Sequence, residues 1–160
     1  MVKSVLFVCT GNTCRSSMAE AIARALWTRQ GENCPPLEFS SAGVAAFPGM
    51  NASEQAIAVM GEVGIDLTSH RSRPLNPELV EKADLILVMT GRHRDYIVSL
   101  VPEAAPKVRL LAQYAFPESA SADISDPFGG PVEIYRQVAL DLEAAIMRAL
   151  KKIQLENIFL

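Results

Sequence analysis

The sequence is poor in cysteine, and its cysteines lack the spacing of a metal site or a disulfide framework. Three cysteines occur in 160 residues, with no Cys-x-x-Cys pair. The sequence therefore predicts free thiols in a reducing compartment rather than a zinc-bound or disulfide-stapled fold. A free thiol of this kind is either buried and inert or catalytic. We expect no metal and no cofactor, and the question is which of Cys9, Cys14 and Cys34 carries chemistry.

Long apolar runs and an excess of positive charge are also missing. The longest apolar stretches, such as 85–89, are far shorter than the roughly 20 residues that cross a bilayer. The N-terminus has no charged-then-apolar signal pattern. The net charge of −3 leaves no broad basic face for a nucleic-acid backbone. We expect a cytoplasmic monomer that binds neither nucleic acid nor membrane.

The composition is that of an ordinary globular domain. Apolar residues make up 49% and charged residues 21% of the chain, which is close to the average for soluble proteins. Short strand patterns alternate with helical patterns; we predict strands at 5–9, 37–41, 83–89 and 108–111, and helices at 17–29, 53–64, 91–100 and 132–153. The alternation predicts one α/β domain over 1–160, with three layers (α/β/α) around a mainly parallel four-stranded sheet. The last helix should bury a stripe that begins at Ile134, and 154–160 is predicted to be a tail.

A small polar loop follows the first predicted strand, in the stretch VLFVCTGNTCRSSMAEA. Ligands of parallel sheets lie outside the carboxyl ends of the strands, which is where Cys9 is expected. The backbone N–H groups of the loop and the positive end of the next helix can surround a tetrahedral dianion. The same surroundings favour a thiolate, the nucleophilic form of a thiol. The predicted phosphate-binding residues of this loop are Thr10, Gly11, Asn12, Thr13, Cys14 and Ser16.

Individual side chains of the loop suit this interpretation. Arg15 can form two parallel hydrogen bonds with equatorial phosphoryl oxygens, which lysine cannot match. Ser16 can donate to the sulfur of Cys9, and Gly11 and Asn12 can adopt a positive φ. A cysteine after a buried strand is more often a small buried hydrophobe. The strand before the loop, the helix after it and the Gly-Asn pair within it favour catalysis.

The loop CTGNTCRS resembles that of the low-molecular-weight protein tyrosine phosphatases. Further stretches match in the family's order: SSAG at 40–43, GIDLTSHRSRPL at 64–75, ADLILVM at 83–89 and DPFGG at 126–130. The resemblance covers nearly the whole chain. It implies a phosphocysteine intermediate on Cys9, a phosphate clamp at Arg15, and a general acid and base at Asp126. It also implies phosphorylated proteins as substrates and inorganic phosphate as a product.

The two residues that follow Asp126 also have predicted roles. Pro127 should stiffen the loop, and Phe128 should form a wall of the substrate slot. Asp123, three residues earlier, is interpreted as a solvated loop charge. Aspartate before proline is also a common turn opener. The catalytic interpretation of Asp126 therefore depends on the cradle, the phosphate-binding loop that residues 9–16 are predicted to form.

The residue at position 13, a threonine, indicates which phosphorylated amino acid is the substrate. The family commonly has isoleucine at this position, whereas GNTCRS resembles the bacterial protein-arginine-phosphatase branch, in which this threonine determines specificity. A threonine hydroxyl suits a narrower, polar leaving group, and a carboxylate such as Asp126 can hold a guanidinium by paired hydrogen bonds. The sequence favours phosphoarginine. Phosphotyrosine remains the alternative, although the tyrosine pair of eukaryotic members is not evident near Phe128.

Two more distant functions are weighed against this one. Arsenate reductases of the thioredoxin-coupled type share the fold, but they need further cysteines to relay a disulfide away from the nucleophile, and outside the loop of Cys9 and Cys14 this chain offers no more than Cys34. A non-catalytic phosphopeptide-binding module disagrees with the intact set of Cys9, Arg15 and Asp126.

Four side chains remain open or peripheral. Cys14 could form a reversible disulfide with Cys9 or pack as a buried thiol. Cys34 is interpreted as incidental. His70 is predicted to bond backbone near the loop, and His93 to lie on a solvated helix face.

Overall fold

Four parallel strands form the centre of the molecule. The computed structural model describes residues 1–119 and 123–159. The strands are β1 (Ser4–Cys9), β2 (Glu38–Gly43), β3 (Leu85–Val88) and β4 (Val108–Leu110), in the order β2-β1-β3-β4. Every neighbouring pair is parallel. The predicted α/β architecture and all four predicted strands are confirmed.

Helices cover both faces of this sheet. They are α1 (Arg15–Arg29), α2 (Glu54–Glu62), α3 (Pro77–Lys82), α4 (Gly91–Leu100), α5 (Leu111–Ala115) and α6 (Val132–Phe159), with a 3₁₀ segment at Pro102–Lys107. Side chains of a strand alternate between faces, and β1 shows this directly. Phe7 and Cys9 pack into the larger core with α1 and α6, whereas Leu6 and Val8 pack into the smaller core with α3 and α4.

Most of the residues that mark the starts and ends of the helices are those predicted from the sequence. The Ser53 side chain accepts a hydrogen bond from Ala56 N at the start of α2, and Gly64 after that helix has φ 77°, a conformation in which glycine has no side-chain penalty. The short helix α3 was not predicted. It begins at an Asn76 cap followed by Pro77, a pairing that favours helix starts.

The closing helix differs from prediction at both of its ends. Ile134 is 47% exposed rather than on the inner stripe, and Tyr135, 1% exposed, takes the buried position. At the other end, α6 continues past the predicted stop at Ile153 to Phe159. The Asn157 side chain bonds the backbone N–H and C=O of Val2, each at 2.8 Å. These two bonds hold residues predicted as a tail against the N-terminus.

No helix within 1–119 or 123–159 combines the length and the apolar character needed to cross a membrane.

Candidate active site

The loop between β1 and α1 places a buried cysteine directly before a helix start. Cys9 is the last residue of β1, and α1 begins at Arg15. The backbone of the loop is tied to the end of β2, because Val44 N–H donates to Cys9 O and Ala45 N–H donates to Thr10 O. Gly43 permits this approach: a Cβ atom there would lie 2.5 Å from Thr10 O. The loop is therefore fixed by main-chain contacts.

Two donors face the sulfur of Cys9. Ser16 Oγ lies 2.9 Å from Sγ, and Asn12 N–H donates to Sγ at 3.3 Å. Asn12 Nδ2 donates to the same serine oxygen at 2.8 Å. The hydroxyl proton of Ser16 has two acceptors within reach, Cys9 Sγ at 2.9 Å and Ala42 O at 3.5 Å, and the sulfur is the nearer of the two. Hydrogen bonds of this kind favour a charged acceptor, as expected for a nucleophilic thiol.

Asn12 carries the strained backbone of the loop. Its φ is 58°, as the sequence analysis allowed, whereas Gly11, which could also adopt a positive φ, does not. The Asn12 side chain donates to Ser41 Oγ at 2.9 Å and accepts from Arg73 N at 3.0 Å. Its carbonyl accepts from His70 Nε2 at 2.7 Å, which confirms the predicted role of His70. These bonds hold the asparagine in a conformation that most residues avoid.

Arg15 presents a buried guanidinium to the loop. The residue is 3% exposed, and its Nη1 donates to Ile124 O at 3.1 Å. Nη2 lies 3.4 Å from Asp126 Oδ2. Among the described residues, the buried Nε has no hydrogen-bond partner. A buried donor without a partner is costly, and an anionic ligand in the cradle would supply the missing acceptor.

The loop that carries Asp126 is far more exposed. The Asp126 side chain is 51% exposed, and its Oδ1 accepts from Phe128 N at 3.1 Å. Ile124 N–H donates to Met89 O at 2.8 Å, which ties the loop to the end of β3. Asp123 is exposed, as predicted for a solvated loop charge, and its Oδ1 also accepts from Gly91 N at 3.1 Å. It holds the loop to the start of α4.

A cavity of about 200 Å³ brings most of the predicted residues together. It is lined by Cys9, Thr10, Gly11, Thr13, Cys14, Arg15, Asp126 and Phe128. Asn12 and Ser16 are fully buried and support the loop from behind. A second cavity of about 540 Å³ adjoins the first and shares Thr10, Arg15 and Asp126 with it. A third cavity, of about 290 Å³, lies between α1, α2 and α6, and the described residues that line it include no Cys, Ser or His. In residues 1–119 and 123–159, no group of His, Cys, Asp and Glu could hold a metal ion.

His93 does not lie on the solvated helix face predicted for it. The residue is 4% exposed rather than solvated, and its Nε2 lies 2.9 Å from Thr10 Oγ1. Its Nδ1 accepts from Thr90 N at 3.1 Å, which forms a capping box at the start of α4. Burial, followed by the charge of Arg15, lowers the pKa of His93 to about 4. The Thr-x-x-His spacing is the signal that could have placed this ring at the inner side of a helix start.

Tyr135 is a second residue near the site that sequence reasoning missed. Its hydroxyl lies 3.2 Å from Cys14 Sγ, and Ser53 Oγ is 3.7 Å from the same sulfur. Burial, followed by the hydrogen bond with Cys14, raises the pKa of Tyr135 to about 12. All three cysteines are free thiols; Cys9 and Cys14 are buried, and Cys34 is half-buried. The disulfide between Cys9 and Cys14 stays a prediction.

Known proteins are similar to this chain over nearly its whole length. The model of the family described as low molecular weight phosphotyrosine protein phosphatase matches residues 4–157. A protein-arginine-phosphatase of Geobacillus stearothermophilus is 44% identical over 153 residues, with 96% of this chain and 97% of the relative covered. A protein-arginine-phosphatase of Bacillus subtilis is 40% identical over 150 residues, with 94% and 96% covered. A solved structure of the YwlE arginine phosphatase, in a Cys-to-Ser variant with a phosphorylated active-site serine, has a TM-score of 0.86 at 39% identity and covers 94% of this chain and 95% of its own.

Proposed function

The chain belongs to the low-molecular-weight phosphotyrosine protein phosphatase family, and on that premise we propose that it hydrolyses phosphoarginine residues of proteins. The observation that carries the proposal is the cradle itself. The sulfur of Cys9 accepts from Asn12 N–H and lies 2.9 Å from the Ser16 hydroxyl, which can donate to a thiolate. It faces a cavity that is also lined by the buried Arg15. This arrangement suits a nucleophile that attacks an anion held by the same loop.

In the first step, we propose that the Cys9 thiolate attacks phosphorus. The S–P bond forms as the P–N bond to the arginine breaks, and Asp126 gives its proton to the departing nitrogen. In the second step, Asp126 takes a proton from water, whose oxygen attacks phosphorus. The S–P bond then breaks and inorganic phosphate leaves. The variant of the YwlE arginine phosphatase with a phosphorylated serine supports a covalent intermediate at this position.

Arg15 and the loop amides supply the electrostatic part of this mechanism. Charge spreads over three equatorial oxygens during phosphoryl transfer, so fixed donors at those oxygens lower the barrier. Arg15 is buried, and its Nε has no partner among residues 1–119 and 123–159, which suits that role. Because Nη1 and Nη2 already contact the loop of Asp126, the same guanidinium links the phosphate clamp to the proton donor.

The choice of phosphoarginine rests on Thr13 and Asp126. Thr13 lines the cavity and offers a hydroxyl where a branched alkyl group would favour an aromatic ring. The half-exposed carboxyl group of Asp126 can bond two neighbouring nitrogens of the substrate's guanidino group, because its O–H donates to the departing nitrogen and its other oxygen accepts from an adjacent N–H. The two relatives at 44% and 40% identity carry the name protein-arginine-phosphatase, which supports this choice.

Phosphotyrosine is the second candidate, because the family model is described by that substrate and Phe128 offers an exposed ring beside the cavity. Arsenate reduction finds little support. It would need a thiol that relays a disulfide, but Cys34 contacts Gln30 and Gln154.

The substrate is tested by kinetics with peptides that carry phosphoarginine or phosphotyrosine. We expect the wild-type protein to prefer phosphoarginine, and Thr13→Ile to shift the ratio of kcat/KM values toward phosphotyrosine by about tenfold or more. Thr13→Val is the matched control: it keeps the branched shape and removes the hydroxyl. Equal or reversed preference in the wild type would favour a tyrosine phosphatase.

The nucleophile is tested separately by Cys9→Ser. A serine hydroxyl is a much poorer nucleophile than a thiolate at neutral pH, so turnover should fall by roughly 10,000-fold or more. Phosphate should still bind, since the loop amides and Arg15 are unchanged. Turnover that survives this substitution would remove the sulfur from the chemistry.

A further inference from the structure

A buried histidine beside the phosphate-binding loop has no part in the mechanism above. His93 is the third residue of α4 and is 4% exposed. Its ring bridges the start of that helix and the loop, with Nδ1 3.1 Å from Thr90 N and Nε2 2.9 Å from Thr10 Oγ1. Both ring nitrogens are engaged, so the orientation of the ring is fixed.

The hydrogen bonds also fix which nitrogen carries the proton. A backbone N–H can only donate, so Nδ1 of His93 accepts from Thr90 and has no proton. Burial and the charge of Arg15 outweigh the nearby Asp126 and Asp123 and lower the pKa of His93 to about 4. At neutral pH the ring is therefore uncharged, and its single proton lies on Nε2. The histidine donates to Thr10 Oγ1.

This donation determines what Thr10 can do. Its oxygen accepts from His93, so its own hydroxyl proton is left for another acceptor. Thr10 follows Cys9 directly and lines both the cavity of about 200 Å³ and the adjoining one of about 540 Å³. We propose that His93 is a positioning residue that holds the Thr10 hydroxyl as a hydrogen-bond donor to a phosphoryl oxygen of the substrate. The inference rests on the proposed phosphate-binding function of the loop, but not on which amino acid bears the phosphate.

Two substitutions separate this role from helix capping. Asn at position 93 can place its carbonyl near the site of Nδ1, which preserves the acceptor for Thr90 N–H, but it is too short to reach Thr10. Gln can place its amide nitrogen near the site of Nε2, which restores a donor to Thr10. Both replacements are uncharged, so neither changes the net charge of the site at neutral pH.

The test measures p-nitrophenyl phosphate hydrolysis and its inhibition by inorganic phosphate. A lost hydrogen bond to an anion corresponds to about a tenfold effect. We expect Thr10→Val and His93→Asn each to lower kcat/KM and to raise the inhibition constant for phosphate by about tenfold. Thr10→Ser and His93→Gln should remain within about threefold of wild type. The double variant Thr10→Val with His93→Asn should be no worse than either single variant.

Two results would overturn the proposal. One is a double variant whose loss equals the product of the two single losses, because His93 would then act independently of Thr10. The other is a His93→Asn variant that folds, by circular dichroism, and keeps wild-type constants. Should His93→Asn fail to fold, nitrogen NMR of the wild-type imidazole decides: we expect the Nε2–H tautomer at pH 7, and the Nδ1–H tautomer would contradict the proposal. Activity on p-nitrophenyl phosphate without activity on phosphoarginine peptides would overturn the proposed substrate alone.

Discussion

The two loops that meet at the cavity are built differently. The loop after β1 is held by the fully buried Asn12, whose side chain and carbonyl bond with Ser16, Ser41, Arg73 and His70. The loop that carries Asp126 exposes half of that carboxylate and 79% of Phe128. Preorganised donors are effective in phosphoryl transfer when they do not have to move. A group that delivers and then recovers a proton needs access to water, which the exposed loop provides.

Among the tests of this difference between the two loops, a substitution of Asp126 in the exposed loop has the largest expected effect. In the proposed mechanism Asp126 protonates the leaving nitrogen, and Asp126→Asn removes that proton, so we expect kcat on phosphoarginine peptides to fall by roughly 100-fold to 10,000-fold. The loss should shrink on aryl phosphates with acidic leaving groups, since these leave without a proton. Steady-state kinetics on both substrate types measures the difference. Asp141→Asn, which removes an exposed carboxylate from α6, is the control and should keep wild-type rates.

An equal loss on both substrate types would mean that Asp126 acts through its contact with Arg15 rather than as an acid. Asp126 would then act together with the cradle, although it lies on the exposed loop.

The next largest expected effect concerns the free energy of unfolding and the buried Asn12 of the loop after β1. Asn12→Ala removes hydrogen bonds to Ser16, Ser41 and Arg73 and puts alanine at φ 58°. We expect a loss of about 2 to 4 kcal/mol in the free energy of unfolding, measured by urea denaturation. Asn12→Gly loses the same bonds without the backbone strain, so it should be about 1 kcal/mol less damaging. If both variants unfold at the wild-type urea concentration, the hydrogen bonds of this loop do not stabilise the fold.

The contrast between the loops also explains what the sequence could predict. The strands, the main helices and the places of Cys9, Arg15 and Asp126 follow from local signals: apolar periodicity, a loop after a strand, and a family motif in register. His93 and Tyr135 were misplaced or missed because their environments depend on how α4 and α6 pack. Ile134 and Tyr135 are neighbours, and the direction in which α6 docks on the core determines which of them is buried. Periodicity gives the spacing of a stripe but leaves its phase uncertain by a residue.

The smallest expected effect returns to the exposed loop. Phe128 is 79% exposed, so Phe128→Ala should change the free energy of unfolding by less than about 0.5 kcal/mol. Its ring borders the cavity and can stack on a bound guanidinium or aromatic ring, a contact of about 0.5 to 1 kcal/mol at an exposed site. We therefore expect KM for phosphoarginine peptides to rise about twofold to fivefold while kcat stays within twofold.

The control for this variant is Phe159→Ala. Phe159 is 82% exposed and lies at the far end of α6, about 40 Å along the helix axis from its start. Its removal should change neither KM nor kcat. A drop in kcat for Phe128→Ala would show that the ring positions Asp126, whose Oδ1 bonds the backbone N–H of Phe128. The exposed loop would then resemble the buried one, because its side chains would also act by holding a catalytic group in place.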